Sequence, residues 1–132
     1  MNLGHIFSRA LGGLLALGLV ACGSDNDGGG SSGVTGSKQL SALSAAEVGN
    51  ICDWAAAKYG GYGHEISCGK DTDSTWSSQS VCVNDFTSSF VNCKNGTVAQ
   101  LEGCVNKLSA APCDATQQES AECKAFNTAC GG

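Results

Sequence analysis

The sequence predicts an all-α domain, a small disulfide-linked bundle of about four helices that follows a flexible tether. Two observations support this prediction. Apolar residues recur at helical spacing behind residues that favour helix N-termini. Eight of the nine cysteines lie beyond residue 50, and most of them fall on the apolar helix faces. No stretch shows the strict apolar–polar alternation of a half-buried strand.

The first predicted helix runs from about residue 45 to residue 59. It begins with the capping-box pattern of Ser44 and Glu47, in which each side chain caps the other residue's backbone N–H. Gly60-Gly61 is expected to end it. Its apolar face carries Val48, Ile51, Cys52, Ala55 and Tyr59.

The second predicted helix spans about 74–93, with Asp73 as its N-cap and Asn95-Gly96 at its end. Its residues before 90 are rich in Ser and Val, which favour helices less than Ala or Leu. Four side chains align on one face at helical spacing. They are Cys82, Phe86, Phe90 and Cys93.

The third and fourth predicted helices span about 98–108 and 117–130. Each follows a capping-box pattern, Thr97 with Gln100 and Thr116 with Glu119. Pro112 is expected to end the third helix before the connecting loop. The apolar faces carry Leu101, Cys104, Val105 and Leu108 in the third helix, and Cys123, Phe126 and Cys130 in the fourth.

Residues 1–21 have the three parts of a secretory signal peptide. Arg9 supplies the positive charge, and residues 10–20 contain only Ala, Leu, Gly and Val. As a helix, that eleven-residue run would be about 16 Å long at ~1.5 Å per residue. It is therefore too short to span a hydrocarbon core of ~30 Å.

The junction Leu19-Val20-Ala21-Cys22 resembles the lipobox of bacterial lipoproteins, which has Leu three places before the cysteine and a small residue directly before it. The resemblance implies that Cys22 becomes the lipidated N-terminus of the mature chain, with several acyl chains such as palmitate. Gly23 stands where Asp would be the familiar signal for retention in the inner membrane. The resemblance therefore implies an outer-membrane lipoprotein that faces the periplasm or the cell surface.

The other eight cysteines predict four disulfides, because the number is even and the implied compartment is oxidising. No two of them have the C-x-x-C spacing of a redox motif or a zinc knuckle, so neither a metal site nor a cofactor is expected. Each disulfide is expected to stabilise the fold by about 2–4 kcal/mol. These cysteines are Cys52, Cys68, Cys82, Cys93, Cys104, Cys113, Cys123 and Cys130.

The order of pairing is open from sequence alone, since eight cysteines allow on the order of a hundred connectivities. In helical hairpins, residues equidistant from a turn come face to face. This geometry predicts Cys104–Cys123 and Cys93–Cys130 around the turn near Cys113, and Cys52–Cys68 around Gly60. Cys82 then remains for Cys113.

The cysteine spacing from Cys93 to Cys130, with Gly96, Leu101 and Leu108 between, resembles that of small cysteine-rich helical lipoproteins of Gram-negative soil bacteria. The likeness covers about the last forty residues of the chain, and the spacing before Cys93 fits less clearly. It supports the fold and the location. It implies no activity.

Composition divides the chain into the signal peptide, a tether that comprises Cys22 and the Gly/Ser/Asp-rich residues 23–38, and a folded domain at 39–132. Removal of residues 1–21 takes away Arg9 and leaves six basic and twelve acidic residues, a net charge of −6. Nucleic-acid binding requires a basic patch, so we expect a membrane contact through Cys22 and no nucleic-acid partner. A protein or envelope partner is not identified by the sequence.

The mature chain holds one histidine, His64, which is followed by Glu65 in a glycine-rich loop. A histidine beside a carboxylate can act in general acid–base catalysis, but adjacent side chains do not necessarily point the same way. The sequence therefore favours a non-catalytic binding or structural module with no catalytic residue. The alternatives are a small envelope hydrolase using His64 with a nearby carboxylate, and a redox protein with one labile disulfide.

Overall fold

The structure is a computed structural model that describes residues 30–131. The signal peptide, the lipobox and Cys22 lie outside the described residues. The described part contains four α-helices, α1 (Ala45–Lys58), α2 (Gln79–Phe90), α3 (Val98–Ala110) and α4 (Ala121–Ala129). It also contains two short 3-10 helices, Leu40–Ala42 and Ala115–Glu119, and two strands, β1 (Glu65–Cys68) and β2 (Asp71–Ser74).

The two strands correct the prediction of a purely all-α domain. They pair antiparallel, with Cys68 opposite Asp71, and a two-residue loop joins them. Gly69 opens that loop with φ +70°, a conformation that the tight turns of hairpins require and that glycine adopts without strain. The fold is therefore mostly helical, with a small hairpin between α1 and α2.

Two of the three predicted capping boxes are present. The Ser44 and Glu47 side chains cap the N-terminus of α1, and the Thr97 and Gln100 side chains cap that of α3. Both helices therefore begin where the sequence predicts. They end within one or two residues of the predicted positions, α1 at Lys58 and α3 at Ala110.

The other two helices begin later than predicted. Asp73 belongs to β2, and the N-cap of α2 is Ser78, whose side chain accepts from the Val81 N–H. The predicted box at Thr116 is wrong, because Asp114 caps a 3-10 turn there and Ser120 caps α4. In each case several Ser, Thr or Asp residues precede the helix, and the sequence does not distinguish which of them caps it.

The core is formed where α1 packs on α2 and α3 packs on α4, with a smaller contact between α1 and α3. Phe86 is fully buried near the middle of the core. Its ring meets Trp76 edge-on at 5.3 Å and stacks on Phe90 at 4.9 Å between centroids. Ile51 and Leu101 are buried as well, so both helix pairs contribute to a single core.

Four disulfides link these elements, as predicted. Two predicted pairings are confirmed, Cys104–Cys123 between α3 and α4 and Cys93–Cys130 between the ends of α2 and α4, with Cα separations of 4.4 and 4.0 Å. The predicted pairs Cys52–Cys68 and Cys82–Cys113 are wrong. The pairs found are Cys52–Cys82, at 5.9 Å, and Cys68–Cys113, at 5.2 Å.

The exchange of partners follows from the hairpin. The prediction assumes that the chain folds back along α1 directly after Gly60, which would bring Cys68 beside Cys52. Instead the segment after Gly60 leads into β1, and Cys68 lies at the far end of that strand. Cys82, on the buried face of α2, then packs against Cys52 on the buried face of α1.

Residues 30–38, which the sequence assigns to the tether, pack against the domain, and we call them the N-terminal strap. Val34 is buried in the core. The carbonyls of Gly36 and Lys38 accept from the N–H groups of Ala99 and Val98 at 2.9 and 3.0 Å. The first N–H groups of a helix lack partners within it, so the strap supplies them for α3. The packed region therefore begins before the predicted boundary at Gln39.

An ion pair also joins the strap to α1. The Lys38 ammonium lies 2.7 Å from the Glu47 carboxylate. The Lys38 side chain and the hydrogen bonds from Ser44 lower the pKa of Glu47 to about 2. Both side chains are partly exposed to solvent, so the ion pair adds little to the stability of the fold. It holds the end of the strap beside the first turn of α1.

None of the helices within residues 30–131 has the length and apolar character needed to cross a membrane.

We predict that Gly96→Ala destabilises the fold by about 1–3 kcal/mol, the usual cost of overpacking. A Cβ at Gly96 would clash with the Cys93 Sγ and lie 2.7 Å from the Cys130 Sγ. The matched control is Gly103→Ala in α3, where the nearest atom would be 3.6 Å away. The control should gain about 0.5–1 kcal/mol from the helix preference of alanine. Equal midpoints of denaturant unfolding for the two variants would contradict the prediction.

We also predict that Cys68–Cys113 is reduced before the other disulfides. Cys113 is exposed and Cys68 half-buried, whereas both cysteines of the Cys52–Cys82 and Cys104–Cys123 pairs are buried. The rate of thiol–disulfide exchange depends on access to the sulfur. Brief mild reduction, alkylation and peptide mass spectrometry should show label at Cys68 and Cys113 first. Earlier labelling of Cys104 or Cys123 would refute this order.

Candidate functional site

The loop that carries His64 is held in place by Thr75, directly after β2. The buried Thr75 hydroxyl accepts from the His64 N–H at 2.8 Å and donates to the Gly61 carbonyl at 2.6 Å. The Thr75 N–H donates in turn to the His64 carbonyl at 2.9 Å. The backbone of the loop is therefore fixed on both sides of the histidine.

The His64 side chain lies against the backbone of Gly60. A Cβ at Gly60 would be 2.7 Å from the His64 Cδ2, and Gly60 has φ +93°. Both the space and the backbone conformation thus require glycine at this position. Even so, His64 remains exposed to solvent.

A shallow depression of about 400 Å³ lies beside the His64 ring. Its walls include Tyr59, Ser67 and Pro112, and burial raises the pKa of the Tyr59 hydroxyl. Glu65 also lines it, but no hydrogen bond or ion pair within residues 30–131 joins the His64 ring to a carboxylate. The structure therefore brings His64 and Glu65 to one depression without the contact that would orient the imidazole as a base.

A larger open cleft, of about 660 Å³, runs between α1 and α2. None of its lining side chains carries a charge near neutral pH. This cleft can therefore bind through amide and hydroxyl hydrogen bonds and through apolar contact. Its walls are formed by Ala45, Ala46, Gly49, Asn50, Gln79, Ser80, Val83, Asn84 and Thr87. The sequence alone does not indicate this cleft, because its residues are neutral and have no motif spacing.

A third surface lies where the strap meets α1, and we define the Trp54 surface as Trp54, Lys58 and Tyr62. Trp54 is half-buried, and its indole N–H donates to the carbonyl of Gly30. The Lys58 ammonium lies 5.6 Å from the centroid of the Trp54 ring, within the range of a cation–π contact.

Tyr62 joins this surface through Asp53, the residue before Trp54. The Tyr62 hydroxyl donates to one Asp53 oxygen, and the Gln79 amide donates to the other, both at 2.8 Å. Burial and the Asp53 carboxylate raise the pKa of the Tyr62 hydroxyl. Both oxygens of Asp53 are therefore engaged. The sequence does not mark these residues as a site, since they match no motif and the contact of Trp54 with Gly30 forms only when the strap docks.

All eight cysteines within the described residues are in disulfides, so none of them is a free thiol there. Among residues 30–131, no group of three or more His, Cys, Asp or Glu side chains is arranged to hold a metal ion. The expectations of no metal site and no cofactor remain predictions.

No protein family, curated protein or solved structure matches this chain.

We predict that Thr75→Val destabilises the fold by about 1–3 kcal/mol, because it leaves the buried partners of the hydroxyl unpaired. Those partners are the His64 N–H and the Gly61 carbonyl. Thr72→Val, on the exposed strand β2, is the matched control and should stay within about 0.5 kcal/mol of the parent protein. Equal thermal unfolding of the two variants would show that the hydroxyl does not hold the His64 loop.

Proposed function

We propose that this chain is a lipoprotein of the bacterial outer membrane, anchored through Cys22, and that its helical domain is a non-catalytic binding or structural module. The observation that carries the proposal is the cysteine count. Of nine cysteines, eight pair with one another in residues 30–131. None of these eight is therefore left to pair with the ninth, Cys22, the cysteine of the lipobox-like junction.

A free thiol in an oxidising compartment would be a liability, because it can exchange with neighbouring disulfides. Attachment of a lipid to the Cys22 sulfur removes that thiol. The same modification supplies the anchor, since several acyl chains hold a protein to a bilayer at about 0.8 kcal/mol for each buried methylene. The disulfide pattern and the lipobox-like junction thus support the same compartment.

The part of the domain best suited to a partner is the cleft between α1 and α2. Its amide and hydroxyl groups, those of Asn50, Asn84 and Thr87 among them, provide uncharged donors and acceptors beside the apolar Val83. Such a lining suits recognition of a neutral polar ligand, such as a peptide backbone or a sugar hydroxyl. The exposed His64, with no carboxylate bound to its ring in the described residues, supports binding over hydrolysis.

We predict that the mature chain begins at an acylated Cys22 and fractionates with the outer membrane. Intact mass spectrometry of the detergent-extracted protein measures the acyl chains directly. Cys22→Ser should abolish both acylation and membrane association, because the oxygen does not replace the sulfur as the lipid acceptor. Ser24→Ala, two residues away, is the control and should leave both unchanged.

The location can be tested in the same experiment with Gly23→Asp. This variant introduces the residue that marks lipoproteins for retention in the inner membrane, so the acylated protein should move to that fraction. A soluble protein with an unmodified Cys22 would refute the anchor. An acylated protein found in the inner membrane without the substitution would refute only the outer-membrane assignment.

A further inference from the structure

The packing of the strap shortens the link between the domain and the lipid site. Cys22 lies only eight residues before Gly30. A fully extended chain covers at most about 3.6 Å per residue, so this link reaches no further than about 29 Å. The sixteen-residue tether expected from the sequence would reach about 58 Å on the same basis. With the strap docked, the domain is therefore held beside the bilayer.

The point of attachment determines which face of the domain lies nearest the lipid. The chain joins the domain at Gly30, whose carbonyl accepts from the Trp54 indole, and two residues later the Ser32 N–H donates to the Glu102 carboxylate at 2.7 Å. The bond from Trp54 places the end of the link at the Trp54 surface, and the bond to Glu102 places α3 close by. The Trp54 surface is thus among the described parts of the domain that lie nearest to a bilayer attached through Cys22.

The chemistry of the Trp54 surface suits the interfacial zone of a bilayer. Trp and Tyr side chains concentrate at the level of the headgroups, where an apolar ring and a polar N–H or O–H are both solvated well. A lysine extends its alkyl stem along apolar surface and places its ammonium among the lipid phosphates. Trp54, Lys58 and Tyr62 supply two aromatic rings and an ammonium within one helix and the turn that follows it, with the indole N–H bonded to Gly30 and the phenol O–H bonded to Asp53.

We propose that the Trp54 surface contacts the lipid headgroups of the membrane to which Cys22 is attached, and so fixes the orientation of the domain on that membrane. The inference rests on the proposed anchor. Eight residues of linker give an effective concentration in the millimolar range. A contact too weak to recruit the free domain is therefore enough once the domain is tethered. With its net charge of −6, the mature chain is not drawn to an anionic bilayer from a distance.

The test attaches the protein to vesicles chemically. In the oxidised mature chain, residues 22–132, Cys22 is the only thiol left by the four disulfides. It can therefore be coupled to a maleimide lipid in phosphatidylcholine vesicles whose acyl chains are brominated near the headgroup. Bromine quenches tryptophan emission only at short range. The chain contains two tryptophans, the half-buried Trp54 and the buried Trp76.

We expect the emission of the coupled protein to fall in brominated vesicles relative to unbrominated ones. Trp54→Phe should remove this loss, because the remaining Trp76 is inside the core. Loss of emission that persists in Trp54→Phe, or no loss in the parent protein, would overturn the proposal. Protein with Cys22 blocked by a small maleimide should show no quenching, since the contact depends on the tether. Quenching of that blocked protein would overturn the dependence on tethering.

Two lysine variants keep the test valid if Trp54→Phe alters the fold. Lys58→Glu should reduce the quenching of Trp54, because it places a carboxylate among the lipid phosphates. Lys124→Glu makes the same change of charge at an exposed position of α4, which packs mainly on α3, and should leave the quenching unchanged. Equal effects of the two variants would overturn the assignment of this face.

The chemical linkage also separates this proposal from the proposed anchor. Quenching in coupled vesicles reports orientation whether or not a cell acylates Cys22. Mass spectrometry of the cellular protein reports acylation whether or not Trp54 meets the lipid. If the cellular protein is acylated but the coupled protein shows no quenching, the contact of the Trp54 surface with lipid is refuted and the anchor stands. If quenching is seen but Cys22 is unmodified in cells, the anchor is refuted, and with it the claim that this contact forms on a cell membrane.

Discussion

The close packing at Gly96 is the contact on which the rest of the domain depends. Cys93 at the end of α2 and Cys130 at the end of α4 meet above this residue, which has no room for a side chain. The Gly96 carbonyl accepts from the Leu40 N–H at 2.9 Å, and Thr97, the next residue, caps α3. The 3-10 helix at Leu40–Ala42, both helix pairs and a disulfide therefore converge on one backbone position.

This convergence explains how a domain with a small core holds together. Two disulfides each join neighbouring helices, Cys52–Cys82 within one pair and Cys104–Cys123 within the other. Cys93–Cys130 joins the two pairs through the residues that follow α2 and α4, and Cys68–Cys113 joins the hairpin between α1 and α2 to the loop between α3 and α4. A small domain rarely obtains enough stability from its core alone, and Cys93–Cys130 ties the chain after α2 to the end of α4 across a sequence separation of 37. Because a side chain at Gly96 would collide with both sulfur atoms, the absence of one allows Cys93 and Cys130 to pair.

Helix starts and disulfide pairs could be predicted from the sequence where a local pattern of residues allowed only one structure. The capping boxes at Ser44 and Thr97 fix the starts of α1 and α3, because reciprocal hydrogen bonds leave few alternatives. The pairing of Cys104 with Cys123 follows because both lie on consecutive helices, at similar distances in sequence from the turn between them. The hairpin was missed since β2 is Asp-Thr-Asp-Ser, residues that are mostly unfavourable in strands. Pairing with β1 and the nearby Cys68–Cys113 disulfide hold it in place.

The candidate sites were less predictable, because they depend on contacts between distant segments. His64 could be identified by its chemistry alone, but its exposure and its position over Gly60 depend on Thr75, eleven residues away. The neutral cleft and the Trp54 surface carry no motif at all. The strap was assigned to the tether on composition, and composition does not reveal that Gly36 and Lys38 offer carbonyls to the free N–H groups of α3.

The strap lies outside the disulfide network, and this sets it apart from the rest of the domain. The first disulfide cysteine is Cys52, so no covalent link protects residues 30–38. They are held by backbone hydrogen bonds to α3, by hydrogen bonds to Trp54 and Glu102, by the buried Val34 and by the partly exposed pair of Lys38 with Glu47. Segments with few buried contacts open at a lower free energy than a cross-linked core.

Opening of the strap would roughly double the length of chain between Cys22 and the first fixed residue. It would also release the Trp54 indole from Gly30. The docked strap therefore controls both how near the domain lies to its anchor and which face it turns toward it.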